Sequence, residues 1–290
     1  MCIPTHPSCH RAPIANGAAV RGDKEVTDPI WGRLQTTTAP AEWRLLGWLE
    51  REGYAYDLYA EAHLHDGTLD LDRYRILMLN VHPEYWSARM VCRVKAWIRE
   101  RGGRLMYLGG NGLYCEVEFL DAGTLRFKTF VVGEAGSLGM PDPNNPTVYL
   151  ESRMHRSLGE SEASLLGVVT TEAGIMTAAA YRVVAADHWA FAGTGLRAGD
   201  AFGAHSMQER VPGGASGHKT DKMSASSPPN RVLLAQGLNA EGGGAHLIYY
   251  ETPGGGAVFS AGSITYPACL LVDRAVSHIT SNVIGRFLAD

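Results

Sequence analysis

The stretch from Tyr74 to Leu108 constrains the fold more than any other part of the chain. Tyr74-Arg-Ile-Leu-Met-Leu-Asn-Val81 is a near-continuous apolar run, the pattern of a strand covered on both faces. Met90, Val91, Val94, Trp97 and Ile98 then recur at helical spacing, with Ser87 placed to cap the helix and Gly102-Gly103 placed to stop it. Arg104-Leu-Met-Tyr-Leu108 reads as the following strand. Strand, helix and strand in so short a stretch form a βαβ unit, in which the two strands run parallel.

Around this unit the pattern is less uniform. Pro40 fits a first helical turn, and Leu45, Leu46 and Leu49 make an apolar stripe ending at Gly53. Tyr54 to Tyr59 alternates as a strand does. In the second half, Val232–Gln236, His246–Tyr250 and Ala257–Ala261 are short apolar runs between Gly, Pro and Asn turns, which predicts antiparallel hairpins. Val272, Val276, Ile279, Val283 and Phe287 predict a closing helix. Trp189 and Phe191 alternate as on a strand, with His188 turned the other way as a structural histidine. The expected fold is α/β: a doubly wound, mixed but mainly parallel sheet, with antiparallel hairpins in the C-terminal half. Residues 1–35 show no periodicity and read as an extended or disordered lead-in. Residues 36–290 read as one domain, because no linker-like stretch divides them.

Composition removes several function classes. The formal charge of −4 supplies no basic field for nucleic acid or an anionic membrane. No apolar run approaches the ~18 residues that span a bilayer. The first residues, MCIPTHPSCHRAP, lack a secretory apolar core, and the 5 cysteines are scattered rather than framework-like, so a reducing cytoplasm is the expected location. Cys2, His6, Cys9 and His10 have the atoms for zinc but not the spacing. The glycine runs lack both a dinucleotide fingerprint and a phosphate-cradling lysine. Cys115 stands where an α/β nucleophile can stand, yet its neighbours Tyr114 and Glu116 do not suit a sharp elbow, and it reads as a buried apolar residue.

Ligands of open α/β sheets bind beyond the carboxyl ends of strands. Two loops reach that edge: His82-Pro-Glu-Tyr-Trp-Ser87 after Val81, and Gly109-Gly-Asn-Gly-Leu-Tyr-Cys115 after Leu108. If the two strands are neighbours, Tyr85 and Tyr114 converge on one crevice. His82 and Glu84 add titratable groups there, and the glycines leave room.

The segments HPEYWS, GGRLMYLGGNGLY, DHWAFAGTGL and YYETPGGGAVFSAGSIT, in this order over roughly residues 40 to 290, resemble the catalytic region of N,N-dimethylformamidase large subunits. The resemblance implies a core like the class I glutamine amidotransferases, which is flavodoxin-like. It also implies a ferric ion, Fe(3+), held by two tyrosines and a glutamate, and hydrolysis of small N-substituted formamides to an amine and formate. By motif match the tyrosines are Tyr85 and Tyr114. The third ligand falls in the segment from Gly213 to Asp221, where Lys219 occupies the acid position; His218, Asp221 and Glu209 are the nearby alternatives. A ferric ion would polarise the amide carbonyl and acidify a bound water. His82 and Glu84 then become candidate acid–base groups, joined by Asn111 and His218 as candidate catalytic residues. The substrate is expected to be a small amide. A small subunit or a homo-oligomer is the expected assembly, and the chain reads as a shortened relative without the family's extra N-terminal region. The alternative implied by Lys219 is a metal-free binding or assembly domain.

Overall fold

The computed structural model describes residues 2–4, 38–121, 124–128, 141–142, 145–149 and 158–289. Most of the predicted lead-in, 1–35, lies outside the described residues, and with it His6, Cys9 and His10 of the candidate zinc group. The centre is an eight-stranded sheet. Numbered in chain order, its strands are β1 (Cys2–Pro4), β2 (Tyr74–Val81), β3 (Arg104–Gly109), β4 (Tyr181–Val183), β5 (Ala201–Phe202), β6 (Val232–Gly237), β7 (His246–Glu251) and β8 (Ala257–Ser260). The spatial order is β1-β2-β3-β8-β7-β6-β4-β5.

Helix α1 (Thr38–Glu52) precedes β2, α2 (Ala88–Arg101) links β2 to β3, and α3 (Arg274–Ala289) closes the fold. The predicted signals act at α2. The Ser87 hydroxyl accepts from the Met90 amide at 3.3 Å, and Gly102 takes the left-handed conformation at φ 71° that ends the helix.

The expected doubly wound, mainly parallel, flavodoxin-like sheet is not what forms. Only β2–β3 and β3–β8 pair in parallel, whereas the other five neighbours in the sheet are antiparallel. The reason is connection length and content. Parallel neighbours need a crossover of a dozen or more residues, usually a helix. Beyond β3 the chain supplies short strands joined by turns, and the described residues contain one strand–helix–strand crossover, through α2. Two smaller expectations also change. Tyr54 to Tyr59 forms no strand beyond a single bridge at Asp57, and Trp189–Phe191 is a 3-10 turn. The His188 side chain accepts from the Ala190 amide at 3.3 Å and so starts that turn.

The pleat sorts the core. Ile76, Met78, Met106, Leu108, Leu247, Tyr249 and Phe259 face α1 and α3 through Trp48, Leu49, Ile279, Val283 and Phe287. Their neighbours Leu77, Leu79, Leu105, Tyr107, Ile248 and Val258 face α2 through Met90, Val94, Trp97 and Ile98. The central strands are therefore apolar on both sides, which is why their sequences do not alternate with polar residues. This pins the register and so the level at which β2 and β3 end.

Phe259→Ala empties a fully buried position and should cost about 3–5 kcal/mol in urea unfolding, with an unchanged m value. A loss under about 1 kcal/mol would contradict the packing described.

A second expectation concerns acid. The His246 Nδ1 accepts from the Met223 amide at 3.0 Å, and burial, with the charge of Lys222, brings its pKa down from 6.5 to about 4. The folded value lies below the unfolded one, so this contribution is complete above about pH 6.5 and disappears as pH falls through about 4. The urea midpoint should fall across that window. His246→Asn, whose amide oxygen can replace Nδ1, should flatten part of the slope, and an unaltered slope would count against this account.

Candidate active site

The carboxyl ends of β2 and β3 lie side by side, with Val81 opposite Gly109. A side chain at Gly109 would put its Cβ 2.2 Å from the Val81 carbonyl oxygen, and one at Gly110 would come 2.7 Å from the Lys219 carbonyl oxygen. Glycine is therefore required for close approach of backbone at both positions. The Gly110 amide donates to the Val81 carbonyl at 3.1 Å, extending the pairing past the strand.

The two loops then pair again. The Leu113 amide donates to the Pro83 carbonyl at 2.7 Å and the Cys115 amide to the Glu84 carbonyl at 2.8 Å. Tyr85–Trp86 and Cys115–Glu116 continue as a parallel ladder, Tyr85 opposite Cys115. Tyr85 and Tyr114 thus stand on adjacent segments at one sheet edge, Tyr114 just before the strand that opens at Cys115. Tyr85 is exposed and packs edge-on against Phe127, with ring centres 5.2 Å apart; Tyr114 is half-buried. Trp86 is fully buried and donates to Glu61 at 2.6 Å, so it anchors the loop. Cys115 is also fully buried, as a structural cysteine would be.

His82, Glu84 and Asn111 come together. The His82 Nε2 lies 3.0 Å from Glu84 Oε2 and 3.1 Å from the Asn111 amide nitrogen. Burial pushes the Glu84 carboxyl up, but the His82 hydrogen bond and the charges of Lys219 and His82 outweigh it and hold the group below its ordinary value. With its proton on Nε2, His82 donates to an ionised Glu84, the Asn111 side chain, its amide turned over, then meets that nitrogen through its amide oxygen, and Nδ1 is left as the acceptor. Burial, the Glu84 charge and a hydrogen bond to that carboxylate push Tyr85 up to about 12, so its phenol keeps its proton at neutral pH.

Asn111 is 1 % exposed and left-handed at φ 59°, a strained position that something must hold. Asp221 holds it. Its carboxylate accepts from the Asn111 amide at 2.9 and 3.1 Å, from the Tyr107 hydroxyl at 2.7 Å and from the Thr170 hydroxyl at 2.8 Å. Tyr107 in turn accepts from the Gly112 amide at 2.7 Å. Sequence reading missed this use of Tyr107 and Thr170. The one available signal was a tyrosine inside an otherwise aliphatic strand, and its partner lies 114 residues away.

The segment expected to bring a third metal ligand does reach the site. Lys219 lies over Gly110 and its charge acts on Glu84. His218 is left-handed at φ 65°, and its Nδ1 is buried without a hydrogen-bond partner among the described residues. Burial, then the charges of Arg210, His82 and Lys219, lower the His218 pKa to about 4, so its ring is neutral at neutral pH. The other two alternatives point elsewhere. Asp221 is sealed behind its donors, and Glu209 is exposed, with its charge acting on Arg44.

Of the residues in reach of the expected third-ligand position, Lys219 has an ammonium with no lone pair to give a cation, and Asp221 already accepts from Asn111, Tyr107 and Thr170. Among the described residues, no group of three or more His, Cys, Asp or Glu is arranged to hold a metal ion. A cavity of about 290 Å³ is lined by His82 together with Tyr59, Glu61, Asn80 and Trp86, enough room for a small molecule. Among the described residues no helix is long and apolar enough to cross a membrane.

A family described as "N,N-dimethylformamidase beta subunit-like, C-terminal" matches residues 8–279. Two curated proteins named N,N-dimethylformamidase beta subunit, from Alcaligenes sp and Paracoccus aminophilus, are each 27% identical over 288 aligned residues. Each alignment covers 87% of this chain and 37% of the relative, so the chain spans little more than a third of the length of these relatives.

Asp221→Ala would leave two hydroxyls and the Asn111 amide without their acceptor, at a cost of about 3 kcal/mol or more. Urea unfolding measures it, and a loss under about 1 kcal/mol would mean that the buried carboxylate does not hold the loop.

Proposed function

The chain belongs to the N,N-dimethylformamidase beta subunit-like, C-terminal family, and from that premise we propose that it hydrolyses a small amide at the end of β2 and β3. The observation that carries this reading is the junction of His82, Glu84 and Asn111 at one imidazole nitrogen, beside a cavity of small-molecule size.

In the proposed reaction the His82 Nδ1 takes a proton from water as the water oxygen attacks the amide carbon. Glu84 orients the ring and offsets the imidazolium charge, in the manner of a base held by a third group. Asn111, fixed by Asp221, keeps the ring in place. The Tyr85 phenol transfers its hydrogen bond from Glu84 to the substrate carbonyl oxygen, and Tyr114 donates to the same oxygen, as negative charge develops on it. The C–N bond then breaks, the proton on His82 passes to the leaving nitrogen, and the products are an amine and a carboxylate. In this reading the tyrosines act as hydrogen-bond donors rather than as the metal ligands that the resemblance implies. The relatives carry the name beta subunit, which supports assembly with a second polypeptide as part of the proposal.

A binding or assembly domain without turnover is the competing reading, and Lys219 at the acid position favours it. A panel of small formamides and acetamides, assayed for released amine, separates the two. The hydrolase reading expects turnover that survives dialysis against a chelator and falls about 10²–10⁴-fold in His82→Ala. Tyr85→Phe should lower kcat more than it raises KM. No released amine from any member of the panel would overturn the hydrolase.

A further inference from the structure

Four lysines lie in the described residues, and three are tied down. Lys95 meets Glu160 and Ser164, Lys128 meets Glu116, and Lys222 donates to Thr171, Ala173 and Thr220. Lys219 is the exception. Its ammonium makes no hydrogen bond or ion pair among the described residues, although the side chain is half-buried. Glu84, the acid that feels its charge, has its ion pair with His82 instead.

The backbone beneath Lys219 is clamped on both sides. Ser216–Gly217 pairs with Ala178–Ala179, and Asp221–Lys222 pairs with Val169–Thr170. The His218 amide donates to the Thr177 carbonyl at 2.9 Å, and Thr220 bridges to Ser263. A half-buried cation is thus held on a clamped loop over the strand ends, with no residue among those described to neutralise it by contact. Beside it the buried His218 Nδ1 is a second unused hydrogen-bonding atom, and the charge of Arg210 reaches the same ring. A partly desolvated cation and a buried polar atom without partners both favour a bound anion.

We propose that Lys219 and His218 form a subsite for a carboxylate on the substrate, so that the amide this site takes is an anionic one. This rests on the hydrolase reading for the word substrate, whereas the subsite itself requires only binding. The His218 Nδ1 carries hydrogen in the neutral tautomer that donates to the carboxylate, and Lys219 supplies the charge. Glu84 does not compete for the ammonium by contact, because its ion pair is with His82.

The test is calorimetric titration of the full chain with N-formylglycine and with its uncharged counterpart N-formylglycinamide. The acid should bind about tenfold more tightly or better, and less tightly as salt rises. Lys219→Gln should remove that preference while leaving the affinity for the uncharged amide unchanged. Lys219→Arg should retain most of it, which guards against a variant that merely unfolds. Equal affinity for the two ligands, no measurable binding of either, or a preference that survives Lys219→Gln would overturn the proposal. Amine release, followed separately, tells the two readings apart. Lys219-dependent binding without turnover leaves the subsite standing and removes the hydrolase, and turnover of both ligands indifferent to Lys219→Gln does the reverse.

Discussion

A carboxylate cut off from water must find donors within the protein, and Asp221 finds three. Tyr107 comes from the middle of β3, Asn111 from the turn that follows it, and Thr170 from a separate two-residue strand. One side chain thereby ties the end of the parallel pair to the loop that carries His218 and Lys219. The left-handed backbone at Asn111 persists because its amide is claimed twice by the same carboxylate. The position of the Asn111 side chain against His82 follows from that, and the alignment of His82 with Glu84 follows in turn.

The glycines act on the same edge from below. At Gly109 and Gly110 main chain rests directly on main chain, so the ends of β2 and β3 and the Lys219 loop approach as closely as atoms allow. Burial on both faces of the sheet fixes where those ends fall. The site is accordingly held by backbone and buried carboxylate, and its exposed rim contributes little to that hold.

What could be read in the sequence was whatever has a short period or a local signal. The run from Tyr74 to Val81, the stripe of α2 and its Ser87 cap all form where their pattern places them, because burial on two faces and local capping need no distant partner. The pairing of the loops that carry Tyr85 and Tyr114 also followed from topology. The antiparallel hairpins of β6, β7 and β8 also form where the short apolar runs place them, but the strands beyond them did not follow from the sequence. Strands such as β4 and β5 are three and two residues long, and nothing in so few side chains specifies neighbours or direction. A doubly wound sheet was the wrong extrapolation from one genuine βαβ unit. Asp221 was legible only as a residue near a possible ligand position, since its partners are 51 to 114 residues away and two of them are a hydroxyl and a main-chain amide. Trp189 and Phe191 alternate in sequence, yet the His188 ring captures the Ala190 amide and turns the chain instead.

The close contact of Gly110 with the Lys219 carbonyl has a further consequence. Positions 109, 110 and 221 admit almost no alternative atoms, whereas the side chains of residues 218 and 219 spring from the same frame and lean on it only through their main chain. Scaffold and charge are thus separable here. One side chain can reverse the sign of the potential in the crevice, from a place that attracts cations to one that attracts anions, without moving any strand.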